Sequence, residues 1–216
     1  MRNFSMKTAV IFLSLLSGAM SVVAAPMPAI VQGPREWTLD VVYDQPVQIS
    51  VRLPGSPQPR QFWYLILSLT NNSPSQDLPF YPACELTTDT FQLIPAGKDV
   101  QTAVFEKIKL KHQGRYPFLE SLDFVDHRIL QGRDNSRDIV IIWPDFDPAA
   151  TQINLFIAGL SNETAVIEHP IQKDSNGQPV KIYLQKTLHL KYSIGADKAL
   201  RSDAQLSFTG QDWVMR

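Results

Sequence analysis

Residues 62–72 read FWYLILSLTNN. Trp63, Leu65, Leu67 and Leu69 fall on one side of a strand of period two. Phe62, Tyr64 and Ile66 fall on the other, where Ser68 and Thr70 then replace them. One face is apolar throughout and the second turns polar halfway. That pattern predicts a central strand packed on a second sheet and partly covered, on its other side, by a helix or loop. The TNNSPS that follows predicts a turn, because Asn and Ser side chains bond their own backbone and Pro74 ends pairing.

Working outward, Trp37, Leu39 and Val41 alternate with Thr38 and Asp40. Beyond Pro46, Val47, Ile49 and Val51 alternate with Gln48, Ser50 and Arg52. Both stretches read as half-buried strands. A strand follows over 80–86, with Phe80, Cys84 and Leu86 on one face, and a short continuation over 90–94. Residues 139–143 form an apolar run stopped by Pro144, and further strands are predicted over 153–157, 180–193 and from Leu206 onward. His169, before Pro170, is assigned to a loop. One helix is predicted over 99–112: Val100, Val104 and Ile108 recur every fourth residue, lysines take the outside, Asp99 is the N-cap and Gly114 ends it. The 16 prolines and 10 glycines fall between these runs. The sum is about eight or nine strands and one helix, with turn signals at the spacing expected of a sandwich or barrel. The fold class is therefore mainly β: an antiparallel β-sandwich, immunoglobulin-like, with one short helix packed on it.

The chain opens MRNFSMKTAVIFLSLLSGAMSVVAAPMPA. A basic leader, an apolar core over 8–23 and small residues at Val23-Ala24-Ala25 read as a secretory signal peptide over 1–25, with a cut at Ala29 as the alternative because Pro26 is a poor neighbour for cleavage. The core is shorter than the ~20 apolar residues a membrane span needs. Residues 26–36 read as a linker and 37–216 as one domain. The whole chain carries 20 basic and 21 acidic residues, and the leader holds Arg2 and Lys7 with no acid. No basic stripe argues for nucleic acid, and no membrane span is expected after the leader is removed. The one cysteine, Cys84, excludes an internal disulfide, so burial must supply the stability. Secretion to the periplasm or the exterior is the expected localisation.

FWYLILSLTNNSPSQDLPFYPACELTTDT, GRDNSRDIVIIWP, FIAGLSNET, LQKTLHLKYSIGAD and DWVMR, in that order, resemble a family of uncharacterised secreted bacterial proteins of the kind numerous in planctomycete-type genomes. WYLILSLTNN is also similar to strands of extracellular immunoglobulin-like domains. The resemblance implies a source and a fold, and no mechanism.

Four histidines are present, in no paired motif. His127, in LDFVDHRIL, has Asp123 and Asp126 beside it, and a carboxylate can orient and charge a histidine base. A surface ion pair is the plainer reading, since no GxSxG elbow accompanies it. His189 alternates out to the solvated face with Lys191, and His112 closes the lysine-rich helix. Asp134, Asn135, Asp138, Asp145 and Asp147 could offer oxygens to Ca²⁺, but Arg133 and Arg137 would repel a cation and are expected to pair with Asp134 and Asp138. Cys84 is read as core rather than nucleophile. Trp37, Trp63, Trp143 and Trp213, with Phe62, Tyr64 and Tyr81, could stack on sugar rings; Trp63 and Trp143 sit inside apolar runs, and Trp213 and Tyr81 are taken as the binding candidates. The expected function is a non-enzymatic structural or protein-interaction module of a bacterial envelope, with an unknown protein or glycan partner and no cofactor or metal. The alternatives are an extracellular carbohydrate- or peptide-binding module, and a hydrolase using His127 with Asp123 and Asp126.

Overall fold

The computed structural model describes residues 29–31, 36–74, 76–195 and 204–216; the leader expected over 1–25 lies outside them. In chain order the elements are β1 (Ala29–Val31), β2 (Asp40–Tyr43), β3 (Val47–Val51), β4 (Arg60–Thr70), β5 (Leu78–Pro79), β6 (Ala83–Thr88), β7 (Leu93–Pro95), α1 (Thr102–His112), β8 (Glu120–Ser121), β9 (Arg128–Ile129), β10 (Arg137–Pro144), β11 (Gln152–Ala158), β12 (Thr164–Lys173), β13 (Pro179–Ile194) and β14 (Leu206–Met215). The described residues are mainly β, with antiparallel sheets and one α-helix among them; the short β8–β10 pair is parallel.

The opening stretch is β4, and it is central. β10 runs along one edge of it, and β2 and β3 follow each other along the opposite edge. Trp63, Leu65, Leu67 and Leu69 face inward with Ile139, Ile141 and Trp143 of β10. They meet Leu86, Ile153, Leu155, Leu188 and Leu190 of the other sheet in one core. The reverse face of β4 carries Phe62, Tyr64 and Ile66, covered by Val104, Phe105 and Ile108 of α1. Both faces are thus buried, which is why the sequence shows no polar alternation until Ser68. Each such aliphatic side chain contributes about 1.5–3 kcal/mol by leaving water.

The second sheet runs β1-β12-β13-β11-β6-β7, with β14 also on β13. β13 is long enough to serve three partners. β11 and β12 lie in succession along one of its edges, since Lys186 N–H donates to Glu163 O at 3.0 Å. Gln185 N–H points the opposite way, to Arg216 O at 2.8 Å, so β14 takes the other edge. The sheets are tied together where the chain crosses between them. Leu39 N–H donates to Leu160 O (2.8 Å) just before β2 joins β4, and Gly97 N–H donates to Ile142 O (2.9 Å) just after β7 leaves β6.

Three expectations are corrected. The helix begins at Thr102, not Asp99: Asp99 adopts a left-handed φ of 58° in the turn that Gly97 opens, and Gln101 takes the N-cap position without a side-chain bond. His169 lies in a strand, not a loop. β12 tolerates Pro170 because pairing with β13 is irregular between Glu168 and Lys173, and His169 Nδ1 accepts from the Ile171 and Gln172 N–H groups. Arg137 pairs with Glu120 of β8, not Asp138: Nε donates to Oε1 at 2.9 Å, while Asp138 accepts from Ser68 Oγ at 2.5 Å.

Candidate functional site

His127 follows the 3₁₀ turn Leu122–Phe124 on the surface. Its ring stacks on Tyr81, with centroids 5.0 Å apart and planes 23° from parallel. Asp123 and Asp126 are exposed, and Asp123 lies against Gly97, where an added Cβ would meet its Oδ1 at 3.0 Å. Among the described residues no side chain hydrogen-bonds the His127 ring. Cys84 is buried on the inner face of β6, where desolvation, and then the charge of Glu85, push its thiol well above the ordinary range. The calcium candidates are spread out. Asp145 accepts from Trp63 Nε1 (2.8 Å), Asp147 from Ala149 N–H (2.8 Å), and Asp134 and Asn135 lie in the 3₁₀ turn Arg133–Asn135. Among the described residues no three His, Cys, Asp or Glu side chains converge on a metal position, and no helix is long and apolar enough to cross a membrane.

Tyr81 belongs to a better-defined feature. A cleft of about 230 Å³ opens beside the β11–β12 connection, lined by Trp37, Tyr81, Ser161, Asn162, Thr164 and Gln185. Tyr81 is 68% exposed, yet it is held. Phe80 N–H donates to His127 O at 2.9 Å, and the Tyr81 carbonyl presses on Gly159, where a Cβ would come within 2.6 Å of it. Only glycine fits there, and its φ of 85° requires glycine independently. Trp37 forms the other wall. Its N–H donates to Asn162 Oδ1 (2.7 Å), and its carbonyl accepts from Ser161 Oγ (2.9 Å). The sequence named both rings; nothing in it showed that the 160–162 turn would bring them together.

Trp213 is placed elsewhere, on β14. It stands opposite Leu188, with Lys186 Nζ 5.2 Å above its ring, and Lys186 pairs with Glu163. Glu163 also accepts from Thr38 Oγ1 (3.2 Å), and the Lys186 bond is the main cause of its lowered pKa. On the outward face of the same sheet, Glu85, Phe156, His189 and Asp212 stand in register across four strands. Phe156 stacks on His189 at 4.3 Å, with the Arg216 guanidinium 4.2 Å from the Phe156 ring. His189 Nε2 lies 2.9 Å from Asn154 Oδ1, and burial lowers its pKa, with Lys191 adding to the effect. Asp212 bonds Lys191 at 2.5 Å, which lowers the carboxyl's pKa.

β14 itself presents the other distinctive feature. Gln185 and Arg216 exchange two main-chain hydrogen bonds, so alternate residues back along β14 turn toward β13. Gln211, Trp213 and Met215 therefore point their N–H and C=O groups away from it. Across the irregularity at Gly210 the parity resets, and Leu206 and Phe208 point outward; Leu206 O accepts from Gln45 Nε2. No described strand pairs with this edge. Compared with protein-family models, curated proteins and solved structures, the chain matches none.

Proposed function

We propose that the protein is an exported, non-catalytic protein-interaction module of a bacterial envelope, and that β14 is the strand it offers to a partner. The observation that carries this reading is the outer edge of β14, a strand ten residues long: Gln45 occupies the Leu206 carbonyl, and beyond it no described strand pairs with that edge. Long edges are ordinarily blunted by Lys, Pro or a covering segment. β14 contains no Lys, Arg or Pro, and Asp212, its one charge, is neutralised by Lys191 on the sheet face. Phe208 and Trp213, 52% and 38% exposed, flank the open main-chain groups. A partner that fits is an extended segment with unpaired backbone and apolar side chains, adding as a further strand. In that mode the main chain supplies affinity and side-chain pockets supply specificity. The immunoglobulin-like character is part of this proposal, supported by the two antiparallel sheets enclosing one core. Export is supported by the leader over 1–25.

A module is favoured over a hydrolase by the surroundings of His127: an exposed ring stacked on Tyr81, with no oriented acid at its nitrogens among the described residues. The test is a photo-crosslinking residue at Phe208, with Phe91, exposed on the β6–β7 turn, as control. A discrete adduct at Phe208 alone, mapped to an extended segment of one protein and lost in Gln211→Pro, is the expected result. Equal adducts at both positions, or an adduct that survives Gln211→Pro, contradicts it.

A further inference from the structure

We infer that the Trp37–Tyr81 cleft is a binding site for one ring of a neutral saccharide, independent of the β14 edge. Three observations carry this. Main-chain contacts fix the backbone beneath both aromatic rings, and Trp37 also packs, partly buried, against the core. Asn162 and Ser161 hold the backbone of Trp37, whose ring rests on the core, and the Gly159 contact holds the backbone of Tyr81, whose ring stacks on His127, so both are positioned without a ligand. A tyrosine held 68% exposed and braced from behind by His127 adds little to the core. It does present a flat apolar platform, the partner that the C–H face of a pyranose needs.

The polar lining is uncharged. Thr164 and Gln185 offer a hydroxyl and a primary amide, and among the described residues neither side chain has a hydrogen-bond partner. The nearby charges, Glu163 and Lys186, satisfy each other and do not line the cleft. Neutral donors and acceptors suit sugar hydroxyls, and among the described lining residues an anionic or cationic ligand would find no counter-charge.

Size and surroundings exclude the other occupants. At about 230 Å³ the cleft is smaller than the roughly 300–1,000 Å³ pockets that enclose drug-sized molecules, so it takes a single ring. A peptide cannot enter by strand addition, because β1 already pairs the edge of β12 at Thr164, opposite Val31.

The experiment is a titration of the isotope-labelled protein with soluble neutral tetrasaccharides of glucose and of N-acetylglucosamine, at millimolar concentrations. The Trp37 indole N–H and the Gln185 side-chain amide resonances are followed. Saturable shifts confined to these groups, weakened on the order of tenfold in Tyr81→Ala and retained in Tyr81→Phe, are the expected result, tenfold being one stacking contact of about 1.4 kcal/mol. Tyr81→Ala removes an exposed ring, and a circular dichroism spectrum unchanged from wild type shows that the fold survives. The inference is overturned if neither saccharide moves the Trp37 indole, if Tyr81→Ala binds as wild type does, or if an uncharged hexapeptide moves the same resonances and the sugars do not.

Discussion

Gln185 and Arg216 face each other as a doubly hydrogen-bonded pair, at 2.8 and 3.1 Å, and this one pair sets the direction of the main-chain groups near the end of β14. From it follows a paired substitution. Gln211 N–H points away from β13 and Asp212 N–H points toward it. Gln211→Pro leaves the ladder intact, whereas Asp212→Pro removes a main-chain bond and the Lys191 ion pair. Asp212→Pro is expected to lose at least about 1 kcal/mol more stability than Gln211→Pro. Equal losses in urea denaturation would show the parity to be wrong.

Leu65 and Ile66 are neighbours on β4 that face opposite layers, and are 0% and 2% exposed. Truncation of either to Ala should cost about 2–5 kcal/mol, because each opens a cavity in a closed layer. Were α1 only loosely docked, Ile66→Ala would cost well under half of what Leu65→Ala does.

Gly159 and Gly177 share a positive φ, 85° and 78°, but not an environment. A Cβ at Gly177 meets nothing within 4 Å, whereas one at Gly159 strikes the Tyr81 carbonyl. Gly177→Ala should cost about 1 kcal/mol and Gly159→Ala at least about 2 kcal/mol more. Comparable melting temperatures for the two variants would contradict the clamp on Tyr81.

His112 and His189 both have lowered pKa values, chiefly from burial. The unfolded chain therefore takes up protons at a higher pH than the folded protein does. Stability falls as pH drops through the ordinary histidine range near 6.5, and the loss is complete below the folded values. Tyr64 Oη lies 2.8 Å from His112 Nε2, and which of the two donates depends on the imidazole tautomer. In His112→Gln the decline in urea midpoint between about pH 7.5 and 5 should be shallower than in wild type. An unchanged slope would remove His112 from the account.

The fold was legible wherever side-chain period decides it. The two faces of β4, the apolar run of β10 and the alternation of β11 and β13 all follow from burial. β12 was hidden because TAVIEHPIQK has a proline and no steady alternation, as befits a strand largely exposed on both faces. The start of α1 was misplaced because Asp serves a left-handed turn as well as it serves an N-cap. Arg137 was assigned to sequence neighbours, whereas β8 brings Glu120 from a distance. Tyr81 and Trp213 could be named from type and position. Their surroundings could not, because a cleft and an open edge depend on which strands become neighbours, and pairing leaves little trace in one sequence.

The open edge of β14 is tested most directly by amide hydrogen exchange in the isolated protein, resolved residue by residue. Fast exchange at Gln211, Trp213 and Met215, alternating with protection at Asp212 and Val214, is the predicted result. Protection at Gln211 and Trp213 equal to that at their neighbours would mean that the edge is already covered, and would contradict β14 as the strand offered to a partner.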